Sequence, residues 1–166
     1  MNKNVVVLVA AFGCLGTFAV DAAQEAGLRQ QVVGLWSLSS QYVERPDGSR
    51  VERFGANPKG LAFFDQGGRF SQVLMRSDLP KIASNNAMTA TDAENRAIME
   101  GSSAFFGTWS VDEATGTLLN RIEGATFPNW NGTELKRTLS ISGDEMKQCV
   151  ASQIGGTSCA TWRRVR

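Results

Sequence analysis

The 166 residues include no histidine, which removes at once the commonest general base and the commonest metal ligand. A Ser-His or Cys-His nucleophile is therefore excluded, and neither a zinc nor a non-haem iron centre is expected. For proton transfer the chain offers Glu123 and Tyr42. Glu123 would need an apolar setting that raises its pKa before it could act as an acid near neutral pH. For holding an oxygen anion the chain offers Arg76, which follows Met75 at the end of an extended stretch, and Asn120, which shares a strand face with Leu118 and Ile122. A guanidinium facing apolar walls suits a carboxylate or phenolate, because its planar fork can hold two oxygens at once. The competing readings are an Arg76 standing in water at a rim and an Asn120 that is a satisfied core amide.

These residues sit in a chain of extended segments. The first is Gly34-Leu35-Trp36-Ser37-Leu38-Ser39-Ser40-Gln41-Tyr42, where period-two alternation puts Trp36, Leu38, Ser40 and Tyr42 on one face. A Trp entering a strand just after a Gly is suited to plugging the closed end of a small barrel. Arg45-Pro46-Asp47-Gly48-Ser49 is turn chemistry, and residues 50–54 resume an extended pattern. Leu61 to Phe64 and Arg69 to Met75 flank Asp65-Gln66-Gly67-Gly68 as a tight hairpin. Thr91-Asp92-Ala93-Glu94 then forms a capping box, and the spacing predicts a helix reaching about Ala104. Its apolar stripe would be Ala93, Ala97, Ile98, Gly101, Ala104 and Phe105, laid on the sheet or over an opening. Strands follow at Phe105–Val111, Thr117–Glu123, Glu134–Ser142, Glu145–Ala151 and Ser158–Val165, with an irregular loop over 124–132. The count is eight or nine strands in sequential hairpins with one helix inserted mid-chain. Such a run closes most simply into a barrel, which leaves no edge.

The beginning of the chain reads as a targeting segment. A short polar start with Lys3, an apolar run from Val5 to Val20 and the small-residue site Val20-Asp21-Ala22 predict a secretory signal peptide over residues 1–22. The run is shorter than the roughly 20 apolar residues a bilayer span needs. A lipoprotein cleavage before Cys14 is the alternative, although Ala11-Phe12-Gly13 lacks the expected Leu. The mature domain is then 23–166, periplasmic or secreted. Its two cysteines, Cys149 and Cys159, flank Gly155-Gly156 near the end of the chain, and in an oxidising compartment they read as a disulfide rather than as two buried thiols. A net charge of +1 on 17 basic and 16 acidic residues argues against nucleic acid or an anionic membrane as a partner. Arg163-Arg164-Val165-Arg166 reads as the solvated end of a last strand. Asn131-Gly132-Thr133 fits a glycosylation sequon, which has meaning only in a eukaryotic source.

The segments Gly34-Leu35-Trp36, Phe54-Gly55-Ala56-Asn57-Pro58-Lys59-Gly60, Phe70 to Arg76, Phe105-Phe106-Gly107-Thr108-Trp109, Pro128-Asn129-Trp130-Asn131-Gly132 and Thr161-Trp162-Arg163 together resemble the bacterial and fungal lipocalin-like domain family. The resemblance covers essentially the mature chain. It implies a mainly β fold, an eight-stranded antiparallel calycin-type barrel with an internal cavity. Relatives commonly carry a His on the strand leading into the Pro-Asn-Trp loop, where this chain has Asn120, and the cysteine pair is not a family feature.

A barrel of this size has room for one small ligand, entering at its mouth. The expected lining is Arg76 and Asn120 with aromatic walls from Phe63, Phe106 or Phe105, Trp109, Trp130 and Tyr42. Arg137 and Arg163 read instead as latches stacked on the closed-end tryptophans Trp36 and Trp162, and Trp130 has the alternative of a loop anchor. Two function classes follow. The first is an exported binding protein for a small hydrophobic molecule, with or without one anionic group. The second is a cofactor-free isomerase, cyclase, decarboxylase or hydratase using Glu123, Tyr42, Arg76 and Asn120. Binding is the simpler reading, since there is no His and no carboxylate pair. Neither class implies a cofactor, and the sequence assigns no oligomeric state.

Overall fold

The computed structural model describes residues 27–152 and 155–166. The expected signal peptide and the Cys14 alternative lie outside the described residues. A one-turn helix α1 (Leu28–Val32) leads into β1 (Gly34–Glu44), followed by β2 (Arg50–Val51), β3 (Lys59–Phe64) and β4 (Arg69–Met75). Helix α2 (Asp92–Gly101) precedes β5 (Ser102–Asp112), β6 (Thr117–Ala125), β7 (Glu134–Ser142), β8 (Glu145–Ala151) and β9 (Thr157–Arg164). Every neighbouring pair is antiparallel, and β1 also pairs with β9. Eight strands thus close on themselves, with β2 a two-residue ribbon on the end of β1. No helix among the described residues is long and apolar enough to cross a membrane.

Local chemistry explains the hairpins. At the β3–β4 turn the Asp65 carboxylate accepts from the Arg69 amide at 2.6 Å, and Gly68 takes φ +88°, a conformation open to glycine and costly for a side chain. Along β4 the burial alternates strictly, with Phe70, Gln72 and Leu74 inside. On β1 the alternation breaks. The register with β9 shifts between Leu38 and Ser40, so the inward set is Trp36 and Leu38, then Gln41 and Val43. The expected face was right up to that bulge and inverted beyond it, which turns Tyr42 outward.

Helix α2 has the capping box foreseen for it: the Thr91 hydroxyl accepts from the Glu94 amide, and the Glu94 carboxylate accepts from the Thr91 amide at 2.8 Å. It ends sooner than its apolar stripe suggests. Gly101 packs so closely beneath Leu79 that a Cβ there would lie 2.7 Å from it, and Ser102 already begins β5. Ala104 and Phe105 therefore belong to a strand, and the helix keeps Ala93 exposed with Ala97 and Ile98 half-buried. Replacing Thr91 by Ala is expected to cost about 1 kcal/mol, seen as earlier amide exchange in α2 than in the strands.

The two ends of the barrel differ. At one end Trp36, Phe64, Trp109, Met146 and Trp162 form a buried floor. Helix α1 seals it from outside: Trp36 Nε1 donates to the Val32 carbonyl at 2.8 Å, and the Glu113 carboxylate takes the amides of Leu28 and Arg29 at 2.8 Å each. The Arg164 guanidinium lies 4.1 Å from the Trp36 ring centre and donates to the carbonyls of Val33 and Gln31. The latch is thus Arg164, not Arg163, because the inward and outward positions of β9 alternate from Trp162. On the outer wall, a disulfide joins Cys149 and Cys159, which face each other across β8 and β9 with Cα atoms 4.1 Å apart.

Candidate functional site

Above the tryptophan floor the interior changes character. The buried polar residues are Gln41, Gln72, Ser103, Asn120, Arg137 and Gln148. Strand register groups several of them: Gln41 and Gln148 both sit opposite Ala160, and Gln72 sits opposite Phe105. Gln72 Nε2 donates across the barrel to Gln148 Oε1 at 3.0 Å, and Gln41 Nε2 donates to the Ser158 hydroxyl at 3.0 Å.

These bonds leave much unsatisfied. Gln41 Oε1, Gln72 Oε1, both side-chain amide atoms of Asn120, and Arg137 Nε are buried without a hydrogen-bond partner. A polar atom withdrawn from water without replacement typically costs about 1–3 kcal/mol. Natural cores hold few such atoms, and here five lie inside one barrel, with Trp162 Nε1 of the floor a sixth.

Arg137 dominates this set. It is 8% exposed and is the single charged side chain in the buried interior among the described residues. Burial alone pushes its guanidinium down to about 10, with no carboxylate contributing. It remains a cation at neutral pH and makes no ion pair among the described residues. Its contact is with a ring: the guanidinium carbon lies 5.3 Å from the Phe105 centroid. Phe105 in turn meets Phe70 at 6.0 Å and Trp130 at 5.4 Å, both edge-on. An uncompensated buried charge is among the costliest features a fold can carry.

Trp130 leads from this interior to the mouth. Arg53, Met99, Ser102, Ser103, Thr126, Phe127 and Trp130 line a pocket of about 120 Å³ there. Arg53 donates to the Glu100 carbonyl at 3.3 Å and lies 5.0 Å from the ring of buried Phe54, tying the end of α2 to the rim.

The structure sorts the residues singled out from sequence. Asn120 and Trp109 are inside, Asn120 fully buried and Trp109 in the floor with its indole donating to the Asp65 carbonyl. Trp130 is half-buried at the mouth, against Phe105 and Phe127. Phe63 and Phe106, 48% and 50% exposed, point outward, and their neighbours Phe64 and Phe105 take the interior places. Phe106 instead lies over Gly124 in a groove of the outer wall that includes Val73, Thr126 and Asn131.

Arg76 is outside as well, engaged by both oxygens of Asp78 at 2.8 Å, because it stands one residue past the β4 ladder. Tyr42 faces outward beneath the Arg50 guanidinium. Glu123 is on the outer wall, gripped by both terminal nitrogens of Arg69 at 2.6 and 2.8 Å. That pairing holds its carboxyl below the usual carboxylate range, the reverse of what a general acid needs. The structure therefore separates Glu123, Tyr42 and Arg76 from Asn120.

Arg137, expected at the closed end as a latch, is the interior cation instead. A signal for it was present: Leu135, Arg137, Leu139 and Ile141 share one face of a strand, so the charge interrupts an apolar set.

Comparison with known proteins adds three findings. The family description "lipocalin-like domain" matches residues 33–165. The 4'-hydroxy-3'-methoxypropiophenone carrier protein ppsC of Aspergillus oryzae (strain ATCC 42149 / RIB 40) is 27% identical over 106 residues, 57% of this chain and 96% of that protein. Among solved structures, a lipocalin-like protein from Bacteroides uniformis ATCC 8492 is 13% identical, with a TM-score of 0.45 over 80% of this chain and 97% of the other.

Proposed function

The chain belongs to the lipocalin-like domain family, and from that premise we propose that it is an exported carrier of a small aromatic molecule held inside the barrel. The observation that carries this reading is the cluster of unpartnered polar atoms on Gln41, Gln72, Asn120 and Arg137, set among Phe70, Phe105 and Leu139. Apolar walls with a few convergent polar groups are what a small-molecule site requires. The name of the Aspergillus relative supports an aryl ketone as cargo, since side-chain amides can donate to a ketone oxygen and ring faces can sandwich an arene.

Carriage is favoured over cofactor-free catalysis. Among the described residues the buried interior has one charged group and no second titratable one with which to exchange a proton. Export is supported by the leader pattern of residues 1–22 and by the Cys149–Cys159 disulfide, which is suited to an oxidising compartment.

Titration with 4'-hydroxy-3'-methoxypropiophenone, followed by tryptophan fluorescence, tests the reading. Saturable quenching with a micromolar midpoint is expected, because Trp130 stands at the mouth and Trp109 in the floor. Native mass spectrometry of the same mixture should show a one-to-one complex. Absence of both signals up to millimolar ligand would remove the carrier proposal.

A further inference from the structure

Resting on that carrier reading, we propose that the cargo is a phenol and that Arg137 binds it as the phenolate, so that the ligand gives up its hydroxyl proton to solvent on entering the barrel. Three observations lead there. First, the Arg137 side chain is more than nine-tenths buried, and its Nε has no partner. Second, no buried residue of the described chain could serve as its counter-ion, so the anion must come from outside the fold. Third, the guanidinium rests against the face of Phe105, and Phe105 rests against Trp130 at the mouth. An arene entering past Trp130 would therefore meet ring surface first and the cation beyond it.

The charge balance is simple. The free phenol is neutral below its pKa, so it crosses the aromatic mouth without losing the hydration of an ion. Inside, the O–H bond breaks heterolytically, the proton leaves to water, and the oxygen keeps the electron pair as an anion facing the guanidinium. A cation in a site of low polarity favours the ionised form of a neighbouring acid, so the bound phenol titrates below the free one. The groups facing Arg137 do not oppose this. The buried positions on β5, β6 and β8 are apolar residues with Ser103, Asn120 and Gln148, none of which titrates in the relevant range. Arg53 at the mouth adds a second positive charge. The unpartnered amide atoms of Gln72 and Asn120 remain for a carbonyl or ether oxygen elsewhere on the ligand. The inward position of Arg137 on β7, not its distance from the mouth in sequence, is what makes it the anchor.

The test uses two probes, 4-hydroxyacetophenone and 4-methoxyacetophenone, which differ only in whether the para oxygen can ionise. With the unaltered protein at pH 7, the ultraviolet difference spectrum of bound 4-hydroxyacetophenone should show the red-shifted phenolate band. Its ionisation midpoint should fall by at least about one pH unit relative to free ligand. The R137M variant should lose that band and bind 4-hydroxyacetophenone roughly 30-fold more weakly, while binding of 4-methoxyacetophenone changes less than about threefold. R137K, which keeps a point charge without the fork, should recover the band in part.

Retained binding of the methoxy probe shows that R137M is folded, so loss of the phenol alone supports the assignment. An equal fold-loss of affinity for both probes on going from the unaltered protein to R137M, or a bound phenol that stays protonated in the unaltered protein, would overturn it and leave the carrier reading standing. Failure of the unaltered protein to bind either probe would overturn both.

Discussion

Replacing Trp36 by alanine is expected to destabilise the barrel by about 3–5 kcal/mol, the usual range for deleting a fully buried large aromatic. Three losses combine at this position. The indole is 0% exposed, so its removal opens space in the floor that Phe64, Met146 and Trp162 on separate strands cannot fill together. Its Nε1 is also the partner of the Val32 carbonyl at 2.8 Å, which becomes an orphaned acceptor at the end of α1. Finally, the ring is the platform for the Arg164 guanidinium, whose two nitrogens hold the carbonyls of Val33 and Gln31. Trp36 lies on the strand that closes the barrel, opposite Ala62 of β3 on one side and Arg164 of β9 on the other. Damage there loosens the seam as well as the floor. Urea denaturation under non-reducing conditions should show a lower midpoint with the same slope. A cost under about 1 kcal/mol would mean that the floor is not closed by this residue.

Much of the scaffold could be read before any coordinates. The limits of β7 and β8, the capping box of α2 and the β3–β4 hairpin follow from residue types in a row, because turns, caps and alternation are local physics. The site was far less legible, for reasons visible at particular residues. Phe63-Phe64 and Phe105-Phe106 are adjacent aromatics, and alternation guarantees that one of each pair is inside without saying which. The bulge between Leu38 and Ser40 moved Tyr42 outside and Gln41 inside, and nothing in a list of alternating residues locates a register slip. Arg76 and Arg137 were exchanged in role. The first looked placed for a ligand because it ends a strand, yet Asp78 two residues later takes it. The second lay within an apolar alternation, a stronger sign of an inward charge than any strand end. Salt bridges such as Arg69–Glu123 depend on strands β4 and β6, on either side of β5, and are invisible until the order of strands is known.

Asn120→Leu is expected to make the protein more stable and a poorer carrier at the same time. Leucine keeps the branch at Cγ, so the change replaces two polar atoms with two bulkier methyl groups beside Trp109 and Leu135, and room kept for a ligand would take up the added bulk. In the fold neither the oxygen nor the nitrogen of Asn120 has a partner, although the residue is 0% exposed. Folding strips the amide of its water hydrogen bonds without restoring them. Removing that deficit should raise the unfolding free energy by about 1–2 kcal/mol, read as a higher urea midpoint. The same amide is one of the few groups inside the barrel free to bond a ligand oxygen, so affinity for 4'-hydroxy-3'-methoxypropiophenone should fall about tenfold, the worth of one hydrogen bond. A residue kept only for the fold would show the opposite stability sign. If Asn120→Leu unfolds more easily than the parent, the amide is satisfied in solution and its claim to the site is lost. If stability rises and binding is untouched, Asn120 lies below the ligand, and recognition rests on Gln41, Gln72 and Arg137.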